Sequence, residues 1–179
     1  MSKSKAEYDY EYDRFSKEVM DEALEELRDL GWEYYKELNN KRLKKRESGL
    51  TLHYLCLCQG AALYYAHLID PKINPEYCGV KDFDVWLFVS GYNKNYSSQK
   101  HKIEGKTVQG KNKKVDLLIY NSEDFKNKNN GGLIKVLQND RNNHERETAI
   151  CLLDKAIIDL SDKKILYVNK EYSDKNKKC

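Results

Sequence analysis

The chain is 179 residues long and 40% hydrophobic, enough for a single domain with its own core. Its 32 basic and 29 acidic residues leave a formal charge of only +3, so any nucleic-acid surface must come from local clustering rather than overall charge. No apolar run approaches membrane-spanning length and none follows the start Met1-Ser-Lys-Ser-Lys-Ala6, so a cytoplasmic protein without membrane contact is expected.

Residues 1–49 read as an N-terminal helical segment. Tyr8-Asp-Tyr-Glu-Tyr12 is a solvated lead-in, with a recognition segment as the alternative. Phe15, Val19, Ala23, Leu27 and Leu30 recur at spacings of three and four, which predicts an amphipathic helix continuing past Gly31 through Trp32, Tyr35 and Leu38 to pack on the core. Lys41-Arg-Leu-Lys-Lys-Arg46 suits a solvated helix C-terminus, where cations complement the dipole; a phosphate-rich partner is the rival reading.

The sheet-containing core is placed at 50–169. Leu52–Cys58 is a short apolar segment, and Gln59-Gly60-Ala61-Ala62 leads from it into a helical run. A glycine at such a junction lets backbone approach a ligand, and the helix start offers unpaired N–H groups to an anion, although small residues there also serve tight packing. Asp70–Cys78 contains both prolines of the chain and reads as an ordered loop.

Next comes Gly79-Val-Lys-Asp-Phe-Asp-Val-Trp-Leu-Phe-Val-Ser90. The apolar run Val85–Val89 predicts an interior strand covered on both faces, and residues two apart on a strand share a face. Asp82 and Asp84 therefore point together, an unfavourable pairing unless a cation or basic group lies between them. Asp116, near the start of the strand candidate Lys113–Tyr120, joins them if the two strands are neighbours. Three carboxylates on two strands suit one or two Mg²⁺ ions, as in phosphoryl and nucleotidyl transfer. Ordinary strand-end acids paired with Lys81, Lys113 and Lys114 are the alternative.

Between these strands, Tyr92–Lys114 is polar and basic and reads as a long flexible loop, or as a segment that neutralises phosphates and stacks a base. After the turn-rich Asn127–Gly132 the chain resumes at Leu133–Leu137, and a helix is predicted from Asn143 through Ile158, burying Ala149, Leu152, Leu153, Ala156 and Ile157. Ile165–Val168 is a last strand and 170–179 a mobile polar tail. The five cysteines are expected as reduced thiols, and His53-x-x-Cys56-x-Cys58 lacks the second ligand pair of a zinc finger.

Gln59-Gly-Ala-Ala-Leu63, Gly79-Val-Lys-Asp-Phe-Asp-Val-Trp86 and Val115-Asp-Leu-Leu118, in that order, resemble the nucleotidyltransferase superfamily of DNA polymerase β-like fold, and within it a little-characterised bacterial group. The resemblance implies an α/β (α+β) domain, its mixed central sheet flanked by helices. It also implies Asp82 and Asp84 as ligands of Mg²⁺ or Mn²⁺, Asp116 as a further ligand and base, and Gly60 and Ala61 at a nucleoside triphosphate. The expected reaction is transfer of a nucleoside monophosphate to a small molecule, protein or RNA. The superfamily usually has Gly-Ser where this chain has Gly60-Ala61. Alanine offers only its backbone N–H, so the alternative is a catalytically weak binding module, one half of a toxin–antitoxin pair.

Overall fold

The structure is a computed structural model that describes residues 11–92, 97–127, 129, 131–143 and 147–173, without the side chains of 97–107. Helix α1 (Lys17–Lys44) opens the fold and is followed by β1 (Thr51–Cys58), α2 (Gln59–Ile69), β2 (Asp82–Ser90), β3 (Ser97–Val108), β4 (Lys111–Asn121), α3 (Leu133–Asn142), α4 (Glu147–Leu152), β5 (Ala156–Asp159) and β6 (Ile165–Val168). The strands form one mixed sheet in the order β3-β4-β2-β1-β5-β6. Strands β2 and β4 pair in parallel, and the other neighbours are antiparallel. The fold is α+β, with helices on both faces of the sheet.

Alternation along the central strands divides the core in two. Phe83, Val85 and Leu87 of β2 join Leu117 and Ile119 of β4 under α1 and α2, while Trp86 and Phe88 join Leu118 and Tyr120 under α3 and α4. The Ser16 hydroxyl caps α1 by accepting from the Val19 N–H at 3.2 Å, and Lys41, Arg42 and Lys44 fill its last turn. Its buried face is Met20, Ala23, Leu24, Leu27 and Gly31, so the predicted stripe is offset: Val19 and Leu30 lie at its margin. A Cβ on Gly31 would come within 2.5 Å of Leu55 Cδ1, a measure of how closely α1 lies on β1. Arg42 pairs with Glu47 at 3.0 Å and lies over the Tyr92 ring, 4.4 Å from its centroid.

Three expectations need correction. The segment read as a loop before β4 contains β3, and Gln109 and Gly110 turn it into β4 with φ of 50° and 76°, the positive pair that suits a two-residue hairpin. Its polar sequence carries no strand periodicity because an edge strand is held by backbone pairing. The helix predicted to reach Ile158 stops at Leu152; Ala156 and Ile157 are buried, but from β5, where Ile157 pairs with Cys58 of β1. Cys56, Cys58 and Cys151 are free thiols, whereas Cys78 is disulfide-bonded; sequence spacing does not report which cysteines a fold brings together. Residues 144–146, 174–179 and the first two tyrosines of the Tyr8–Tyr12 segment lie outside the described residues.

Candidate functional site

Strand β2 begins at Asp82, and its register fixes the site. Asp82 lies beside Lys114 of β4, Asp84 beside Asp116, and on the other side Asp84 faces Cys58 of β1. Neighbouring strands are about 4.8 Å apart, so Asp82, Asp84 and Asp116 share one sheet face, that of Trp86 and Leu118. Asp116 is buried, and Asp82 and Asp84 are half-buried.

The two-by-two block of Asp82, Lys114, Asp84 and Asp116 contains its own cation. Lys114 Nζ lies 3.3 Å from Asp116 Oδ2 and 3.8 Å from Asp82 Oδ2. Burial would lower the Lys114 pKa, but the charge and hydrogen bond of Asp116, then the charges of Asp82 and Asp84, outweigh it and raise it above the ordinary lysine value. The Cys58 thiol is pushed well up, by burial first and then by Asp84, so it faces the acids protonated. By period two, Lys114 shares its face with Asp116, a signal the sequence carried. Lys113 points the other way and is fully buried against the Asp13 carboxylate and the Glu11 carbonyl, 2.8 Å away.

Gly60 and Ala61 open α2 directly after β1. Cys58 occupies the cap position, but no side chain caps the helix. Gln59 makes the turn with φ 66°, a left-handed conformation uncommon outside glycine, and its side chain donates to the Cys151 carbonyl at 2.7 Å. A Cβ added to Gly60 would meet nothing within 4 Å, so this backbone faces open space. That space is a cleft of about 230 Å³, lined among others by Gly60, Ala61, Asp82, Asp84, Lys81 and Lys155. Asp116 stands beside Asp84 without lining the cleft. Tyr12, Tyr77 and Lys155 also border it; Tyr12 belongs to the segment for which recognition is the alternative reading, while no local pattern marks Tyr77 or Lys155.

A larger cavity, about 300 Å³, lies among His53, Tyr54, Phe125 and Gly132, beside the opposite end of β1. His53 Nε2 is 2.7 Å from Ser90 Oγ, and burial, then Lys126, hold its pKa down against the pull of Glu123. Lys126 is paired with Glu123 at 2.5 Å. The smaller cleft is the stronger candidate because the acids and the start of α2 meet there.

As donors, three carboxylates match a hard divalent cation. As placed, they do not converge: among the described residues no three His, Cys, Asp or Glu side chains are set to share an ion, and the Lys114 ammonium lies between Asp82 and Asp116. Among the described residues no helix is long and apolar enough to cross a membrane. Comparison with protein-family models, curated proteins and solved structures gave no match for this chain.

Proposed function

We propose that this chain is a nucleotidyltransferase that binds a nucleoside triphosphate and a divalent cation in the cleft between the start of α2 and the β2 acids. It would pass the nucleoside monophosphate to an acceptor hydroxyl on a small molecule, protein or RNA: the hydroxyl oxygen bonds the α-phosphorus, the bond from that phosphorus to the bridging oxygen breaks, pyrophosphate leaves and the hydroxyl proton passes to solvent. The observation that carries this reading is the parallel register of β2 and β4, which sets Asp84 beside Asp116 within reach of the Gly60–Ala61 turn. Mg²⁺ or Mn²⁺ would neutralise phosphoryl oxygens when bound. Asp82 and Asp84 are the residues to hold it, with Asp116 behind them orienting the attacking hydroxyl. The Gly60 and Ala61 N–H groups would bind phosphate oxygens where the hydroxyl of a serine is missing. Lys81 and Lys155 would add positive charge on the cleft wall, and Lys114 would have to turn from the acids toward a phosphate. A cytoplasmic setting accords with the free Cys56, Cys58 and Cys151, with the bonded Cys78 set against it.

Two observations favour a second reading, a binding module of the same fold with weak or no turnover that pairs with another protein. Lys114 already fills the space between Asp82 and Asp116, and Ala61 offers no hydroxyl. Thermal unfolding with ATP and Mn²⁺, separately and together, separates the two. The enzyme reading expects stabilisation only when both are present, about 2.7 kcal/mol at a hundredfold excess over Kd. It also expects that Asp82→Asn with Asp84→Asn removes the effect while the variant stays folded. Nucleotide binding indifferent to metal and to these substitutions, or no binding, would contradict it.

A further inference from the structure

We propose that Tyr12 and Tyr77 form the stacking platform for the nucleobase of the triphosphate in the acidic cleft, a step that rests on the reading above. The two rings stack with centroids 4.6 Å apart and planes 17° from parallel. Both line the cleft, and they stay 43% and 52% exposed, so neither serves the core.

The placement of Tyr12 is enforced from both sides. Asp13 and Val80 exchange backbone hydrogen bonds of 2.9 Å each, tying the segment to the chain just before β2. Fully buried Lys113 pairs with the Asp13 carboxylate and donates to the Glu11 carbonyl at 2.8 Å. Burying a lysine is costly unless it is paired and hydrogen-bonded, and here the carboxylate and the carbonyl it binds belong to the immediate neighbours of Tyr12. Gly79 allows the close approach: with φ at 146°, a Cβ there would lie 2.8 Å from the Asp13 carbonyl oxygen. Buried groups thus fix the backbone of residues 11–13 while the ring between them is turned out to the cleft. On the other side, the Gly79 N–H donates to the Tyr77 carbonyl at 3.2 Å, holding the loop that carries the second ring.

A nucleoside triphosphate needs a polar end for its phosphates and a flat apolar surface for its base. The cleft offers Gly60, Asp82 and Lys81 for the first and the tyrosine pair for the second. Every base has a π-face, so a platform of this kind is tolerant: ATP, GTP and CTP should bind within a few-fold of one another.

The test compares Mn²⁺–ATP with Mn²⁺–tripolyphosphate, which has the phosphates and no base, by calorimetry on the full chain. Tyr77→Ala and Tyr12→Ala should each weaken ATP by about tenfold and leave tripolyphosphate unchanged, whereas Tyr77→Phe and Tyr12→Phe should keep ATP binding. Denaturation midpoints establish that each variant is folded, and the Phe pair answers the question if an Ala variant is not. Equal loss of both ligands, or of neither, overturns the platform. If tripolyphosphate binds the unaltered protein and ATP binds no tighter, the platform alone fails; if neither binds, the reading of the cleft fails with it.

Discussion

Lys114 sits where β4 enters the sheet, with one ammonium shared between a buried and a half-buried carboxylate. Its charge offsets that of Asp116, which is 2% exposed and lies in register with Asp84, where two like charges would otherwise repel. The lysine therefore does for the folded chain what a divalent ion would do for the loaded one. Lys114→Met should cost about 1–3 kcal/mol in urea unfolding, below the value for a fully buried pair because the lysine side chain is 26% exposed. Mn²⁺ should restore more stability to this variant than to the unaltered protein; equal effects would show that the ion and the ammonium do not compete for one place. Much of this cluster was legible beforehand, since period two alone puts Asp82 with Asp84 and Lys114 with Asp116. What no local pattern carries is that β4 lies beside β2, because β3 intervenes in the chain and takes the outer edge of the sheet.

Elements were legible where packing and local periodicity agree. The apolar strand β2 and the long α1 have that agreement. The predicted helix from Asn143 to Ile158 does not: Ala149, Leu152 and Leu153 keep helical spacing with Ala156 and Ile157, and only pairing with β6 and β1 shows that the last two belong to a strand. The short N-terminal strap at residues 11–13 is the extreme case, since its partners Val80 and Lys113 are distant in sequence. Burial alone would raise the pKa of Asp13, but the hydrogen bond and charge of Lys113, with Lys111 behind it, hold it below the ordinary 3.8. A depressed carboxyl adds stability that is present above the unfolded value and lost as pH falls through the folded one. Asp13→Asn should therefore cost about 2–4 kcal/mol near neutral pH, since it removes a carboxylate paired with a fully buried ammonium. Stability below pH 4 should also fall less steeply in the variant than in the unaltered protein. Denaturant titrations across pH read both, and parallel pH profiles would show that the ion pair contributes nothing.

For the molecule as a whole, the sheet gathers chemistry at one end. Three strands contribute there: β1 runs into the Gly60 turn, β2 begins at Asp82, and β4 brings Lys114 and Asp116 alongside it. The His53 cavity lies beside the opposite end of β1, which makes it an internal control within the same chain. The central claim is that a divalent ion and a nucleotide share the acidic cleft. The most direct measurement is paramagnetic broadening of backbone amide resonances on adding Mn²⁺, without and with ATP. Loss of the Gly60, Ala61, Asp84 and Asp116 signals is expected, more complete with ATP, with His53 and Gly132 far less affected. Broadening centred elsewhere, or none at the four cleft positions when ATP is present, would contradict it.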